Sequence, residues 1–224
     1  GFDVIGWSED LNATTSSWSV GDSKNFTSSK TYYAITKSKN PIVVTFEKNG
    51  ASSIGETSKS CYRYNGSSNC NIVAPQIIPI SGFEIVGWSS DIGDRQATWK
   101  VGESNSFNKN EKYYAITMHP TQINVYFVKN NAASIVYMGV EIDNFYCNRY
   151  NGESNCSILA PSIVAKDGYS VVGWNTDSNA KSGLTNLTML NSDVTLYAIY
   201  SNGLDFTTAD QINYFNKLIK WFIF

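Results

Sequence analysis

The chain has 224 residues, 16% charged and 14% aromatic, with a formal net charge of −2. Its lysines and arginines form no run, so the basic face that neutralises phosphates is missing and the sequence argues against a nucleic-acid partner. No apolar stretch reaches the roughly 18–20 residues that a membrane-crossing helix requires.

The chain opens on GFDVIGW at residues 1–7, and this stretch returns as GFEIVGW at 82–88 and GYSVVGW at 168–174. The opening glycines, Gly1, Gly82 and Gly168, are 81 and 86 residues apart. Recurrence at a near-fixed period marks an array of similar units. Other stretches repeat with it: Trp18-Ser19-Val20-Gly21 as Trp99-Lys100-Val101-Gly102, and TYYAIT at 31–36 as KYYAIT at 112–117 and, more loosely, LYAIY at 196–200. Residues 1–40 are therefore the second half of a first copy, 41–120 a complete second copy, and 121–202 a third. The third copy gains five residues within Val136 to Tyr146, which reads as a longer loop. With no initiator methionine or signal peptide, the sequence reads as a stretch of a longer protein.

Within the complete copy, residues 41–46 form a β-branched and aromatic strand that ends at the Asn49-Gly50 turn signal. The cysteine-flanked stretch from Cys61 to Cys70 follows, then Ile72-Val73-Ala74-Pro75, where proline limits a strand to an edge or an end. The GFEIVGW strand comes next, then a short strand at 98–101, a polar segment carrying Phe107, and a closing strand at 112–117. Period-2 patterning dominates and no 3.6-residue period appears inside a copy, so the expected fold is all-β. The expected core of each copy is built on Phe83, Ile85, Trp88 and Tyr114, and on Tyr169, Val171, Trp174 and Tyr197.

The cysteines allow a sharper deduction. Asn65-Gly66 stands midway between Cys61 and Cys70, and Asn151-Gly152 midway between Cys147 and Cys156. Asn-Gly is the strongest signal for a two-residue hairpin because a type I′ turn needs positive φ at both central positions. Pairing outward brings Cys61 opposite Cys70 at a non-hydrogen-bonded position with Cα atoms about 4.5 Å apart, within reach of a disulfide. The expected bridges are 61–70 and 147–156, and they imply an oxidising compartment, hence a secreted or cell-surface protein. Zinc binding is disfavoured, because the chain has no Cys-x₂-Cys and only one histidine, His119.

No catalytic constellation is present. His119 sits beside Pro120 in the linker between copies, and the loop carboxylates Asp91, Asp94 and Asp177 vary in spacing from copy to copy. The expectation is a protein that is not an enzyme and uses no cofactor or metal. Three aromatics, Trp99, Tyr62 and Tyr64, are candidates for contacting a ligand such as a sugar ring, since Trp and Tyr combine an apolar face with a polar tip.

The order of strand, Asn-Gly, Pro, Gly-aromatic-x-Val/Ile-x-Gly-Trp and closing Tyr-Tyr-Ala resembles the Listeria–Bacteroides repeat family, the internalin-type B repeat. The resemblance covers residues 1–202 in two and a half copies. It implies small β-grasp-like repeats in tandem in secreted or wall-attached bacterial surface proteins, where they act as stalks, spacers or adhesive modules. It implies no catalytic residues. The cysteine-flanked hairpin departs from the family's plainer turn.

In the last segment, residues 203–224, Thr208-Ala209-Asp210-Gln211 resembles a capping box and apolar residues follow at helical spacing, so a short C-terminal helix is expected over 208–223. Membrane contact is expected only if this segment begins an anchor. The expected role is a non-enzymatic adhesive or spacer array. Its partners are neighbouring repeats of the same chain and a host matrix protein or glycan bound weakly and multivalently; the alternative is a set of accessory carbohydrate-binding modules of a larger secreted enzyme.

Overall fold

The computed structural model describes residues 1–184 and 188–202. The chain divides into two compact units: Gly1–Pro120 together with Tyr150–Glu153, and Thr121–Arg149 together with the described residues from Ser154 onward. The expected helix over 208–223 lies outside the described residues.

Every described element is a β-strand. In the first unit the complete copy folds into a four-stranded sheet with the spatial order Ser58–Cys61, Ile42–Glu47, Glu111–Met118, Glu84–Ser89. Its central pair is parallel, with Val44 opposite Glu111 and Glu47 opposite Tyr114, and both outer pairs are antiparallel. A parallel pair needs a long crossover. Here the crossover folds into two small two-stranded sheets, Ser53–Ile54 with Ile77–Ile78 and Cys70–Val73 with Ser104–Phe107. The second unit repeats the four-stranded order with Asn144–Cys147, Ile123–Val128, Val194–Asn202 and Tyr169–Asn175. No helix lies across either sheet among the described residues, so the β-grasp expectation lacks its helix. The small sheets supply the opposing layer instead, and Ile72, Ile77 and Phe107 pack with Ile42, Val44 and Phe46 in one core.

The five extra residues of the third copy do not form a plain loop. They make a tight hairpin in which Tyr137 pairs with Val140 around Met138-Gly139, both at positive φ (50° and 84°).

Each core is centred on the tryptophan of the Gly-Trp pair. Trp88 is fully buried, its ring 4.9 Å from Phe46, and its indole N–H donates to the carbonyl of Pro75 at 3.0 Å. Trp174 repeats this with Phe127 at 4.9 Å and the carbonyl of Pro161 at 3.0 Å. A buried indole needs an acceptor, and the Ala-Pro segment supplies it in both copies.

The remaining core expectations need correction. Ile85, Tyr169 and Val171 are 44%, 44% and 49% exposed, while Phe83 is half-buried against the His119 ring. The cause is a β-bulge. The register against the closing strand shifts between Ile85 and Gly87, and again between Val171 and Gly173. An extra residue there breaks the period of two, so the residues before the bulge do not share the tryptophan's buried face. Gly87, at φ 139°, has no room for a Cβ, which would stand 2.6 Å from the Ala97 Cβ and 2.8 Å from the Trp99 carbonyl oxygen. On the closing strands the inward residues are Tyr113 and Ala115, and Leu196 and Ala198, each set one residue out of step with the expected Tyr114 and Tyr197. The parallel register places Tyr113 beside buried Phe46 and thereby turns Tyr114 to the other face, where it is half-buried.

The tryptophan and the isoleucine of the same strand should therefore behave differently. Trp88→Ala should cost about 3–5 kcal/mol, and Ile85→Ala less than about 1 kcal/mol, in urea denaturation. Burial, with a hydrogen bond from its hydroxyl to Glu111, pushes the Tyr113 phenol up from 10.0 to about 12. A raised folded-state value means that this contribution to stability is intact below about pH 10 and disappears as pH climbs toward 12. Tyr113→Phe should remove that part of the alkaline loss, seen as a flatter stability profile between pH 10 and 12 than that of the native chain.

Candidate functional site: the hairpin tips and the strands that hold them

Cys61 is bridged to Cys70 and Cys147 to Cys156, and none of the described cysteines is free. The turns form as expected. Asn65 and Gly66 have φ of 53° and 75°, Asn151 and Gly152 50° and 79°, and the turns close through Ser67 N–H to Tyr64 O and Glu153 N–H to Tyr150 O. The expected ladder behind the first turn does not form. Ser58–Cys61 pairs with the opening strand and Cys70–Val73 with Ser104–Phe107, leaving the bridged Cα atoms 5.8 Å apart rather than about 4.5 Å. The backbone groups near the tip are engaged elsewhere.

Their partner is the closing strand of the first copy, Tyr33–Ser38. Asn65 N–H donates to the Thr36 carbonyl at 2.9 Å, and Thr36 N–H donates to Asn65 Oδ1 at 3.1 Å. Ser38 N–H donates to the Arg63 carbonyl at 2.8 Å, and Arg63 N–H to Ser38 Oγ at 3.1 Å. Asn65 Nδ2 reaches the carbonyls of Leu11 and Ala13 at 3.2 and 3.0 Å. Asparagine suits the position because one side chain both donates and accepts, and because it tolerates positive φ.

The arrangement recurs within the first unit at Thr117 and Asn151. Asn151 N–H donates to the Thr117 carbonyl at 2.9 Å, and Thr117 N–H to Asn151 Oδ1 at 3.0 Å. Arg95 adds an ion pair with Glu153 at 3.8 Å and lies 4.9 Å from the centroid of the Tyr150 ring.

The expected ligand-contacting aromatics fare unequally. Trp99 is 3% exposed, packed against Phe46, Phe107 and Tyr113, with its indole N–H on the Glu103 carbonyl. It is a core residue and presents no face to a ligand. Tyr62 and Tyr64 are half-buried, and Tyr64 bridges Lys37 of the first closing strand. The Lys37 ammonium lies 3.7 Å from the centroid of the Tyr62 ring, at a shallow cleft of about 220 Å³ that Asp3, Ile5, Ser38 and Lys39 complete. Reading the sequence missed Thr36 and Thr117. The available signal was that each precedes an Asn-Gly pair, by 29 and by 34 residues, the difference being the five-residue insertion.

Among the described residues no three His, Cys, Asp or Glu side chains gather to hold a metal, and no helix is long and apolar enough to cross a membrane. What the geometry defines is a disulfide-stapled β-repeat module whose tips hydrogen-bond to closing strands. Residues 143–199 match the Listeria-Bacteroides repeat domain, so this part of the chain carries a repeat of that family and supports a bacterial surface repeat module. No curated protein matches the chain. The two disulfides fit a non-cytoplasmic location.

Asn65→Ala removes three side-chain hydrogen bonds at one tip. It should cost about 1–3 kcal/mol and speed amide exchange at Thr36, leaving the Thr117 amide as in the native chain.

Proposed function

We propose that this chain is a non-enzymatic spacer of a secreted or surface-attached bacterial protein, and that the first partner of each repeat is its neighbour. The observation that carries the reading is the set of tip hydrogen bonds between Asn65 and Thr36, supplemented by those of Arg63 and Ser38, which join the second copy to the first. A stalk needs successive modules that do not swivel, and backbone bonds made in both directions across a joint oppose rotation there. The test is ¹⁵N relaxation of the full chain. Residues 1–40 and 41–120 should share one correlation time, and independent tumbling in the native chain would remove the spacer reading.

A second, adhesive reading is favoured by the cleft at Asp3, Lys37 and Tyr62, which presents both charges and an aromatic ring. Repeated weak contacts of this kind gain avidity through effective concentration, and the ligand would be a matrix protein or a glycan. The accessory carbohydrate-binding reading ranks below it, because Trp99 is interior and Tyr62 carries an ammonium at its ring face. The chain displayed multivalently against matrix proteins and polysaccharides should show saturable binding that Tyr62→Ala abolishes if adhesion is its role. Absence of binding at high valency would leave the spacer alone.

A further inference from the structure

Two closing strands in the first unit hold a tip, at Thr36 and at Thr117, and the third copy has a closing strand of the same register. Tyr200 pairs with Val171 where Thr117 pairs with Ile85. We infer that Gly50 is the residue that admits a hairpin tip to the second copy, and that the third copy, with Asn131 and Tyr200 at the matching positions, is closed to one.

The tip rides directly on the Asn49-Gly50 turn. A Cβ on Gly50 would lie 1.9 Å from the Asn151 carbonyl oxygen and 2.5 Å from its carbon, backbone atoms that have no rotamer to retreat into. From the other side, a Cβ on Gly152 would stand 3.2 Å from the Gly50 oxygen. The third copy builds the same turn from Asn130-Asn131. Ala132 N–H donates to Lys129 O at 2.8 Å as Ala51 N–H does to Lys48 O at 2.7 Å, and Asn130 Nδ2 holds the Ala198 carbonyl as Asn49 Nδ2 holds that of Ala115. Gly50 and Asn131 both have left-handed φ, 86° and 70°. The Cβ of Asn131 therefore leaves the turn in the direction that the 1.9 Å contact forbids.

One further contact covers the turn, and a second occupies a group that a tip would use. The Tyr200 hydroxyl donates to the Asn130 carbonyl, and Asn130 Nδ2 also reaches the Ser178 carbonyl at 2.9 Å. By the repeat alignment Ser178 matches Leu11, whose carbonyl accepts from Asn65 in the first dock. Lys181 likewise matches Arg95. Beside these contacts lies a cavity of about 290 Å³ lined by Asn130, Ser178, Lys181, Ile199 and Tyr200. The residue after the turn asparagine thus acts as a connection code: glycine accepts a following hairpin and asparagine refuses it.

Gly50→Asn tests this without backbone strain as the explanation, since Asn131 holds a left-handed φ at the matching position. In the full chain, amide exchange at Thr117 and Asn151 should accelerate at least about tenfold, one tenfold step in the opening equilibrium being about 1.4 kcal/mol, while Thr36 and Asn65 keep their native rates. Unchanged exchange at Thr117 and Asn151 would overturn the inference. The reverse change keeps it testable if Gly50→Asn does not fold. The disulfide-closed peptide of residues 147–156 should give saturable amide shifts at Ser178, Lys181 and Ile199 in the Asn131→Gly, Tyr200→Thr chain and none in the native chain. Equal shifts in both chains, or none in either, would also overturn it.

Discussion

The hydrogen bond from a buried indole to a proline carbonyl organises each repeat. Trp88 and Trp174 are the large side chains at the centres of their cores, and an unpaired indole N–H there would cost free energy comparable to a lost hydrogen bond. Satisfying it draws the Ala-Pro segment of the crossover down onto the sheet, and with it the small sheets that form the second layer. The glycine before each tryptophan belongs to the same constraint. Gly87 lets the bulged strand come within contact distance of the Trp99 segment, which a Cβ would prevent, and a Cβ on Gly173 would stand 3.3 Å from the Gly183 Cα. A small β-unit buries a modest fraction of its surface, so a single correctly seated aromatic carries a large share of its stability.

The cystine segment is the second recurrent device: its bridge packs on or within the core, while its turn reaches a closing strand. Each bridge closes a short loop with a sequence separation of 9, which in the chain-entropy model contributes about 2–3 kcal/mol. Its further effect is to hold an Asn-Gly turn in one shape. A preformed tip loses little freedom on meeting its partner strand, so a few hydrogen bonds suffice to keep it seated. The ion pair between Arg95 and Glu153 is half-exposed at 3.8 Å and adds little energy beside these bonds.

This division of labour explains why repetition is imperfect where it is. Positions that serve the interior of one copy, such as the Gly-Trp pair and the Ala-Pro segment, recur in both complete copies. Positions that serve the junction vary with what each copy must meet: Gly50 against Asn131, Thr117 against Tyr200, Arg95 against Lys181. In the proposed spacer, the first class makes a stable unit and the second sets which unit follows which.

Much of this was legible in the chain. The period of the repeats, the all-β character, the pairing of Cys61 with Cys70 and Cys147 with Cys156, and the positive-φ turns at Asn65-Gly66 and Asn151-Gly152 all follow from local rules about turn geometry and side-chain period. The inward residues did not follow. Alternation assigns Phe83 and Ile85 to the core only if the strand is regular, and the bulge moves the frame by one residue. Trp99 was ambiguous for a related reason: an aromatic residue looks the same in sequence whether its neighbours enclose it or leave it open. The destination of the hairpin tips lay furthest beyond reach, because a strand edge accepts any partner with matching N–H and C=O groups. Local chemistry, then, determined from sequence alone the turns, the bridges and the class of fold. Tertiary structure decided which face is inside and which strand each tip joins, since both depend on register and on close approach between residues far apart in the chain.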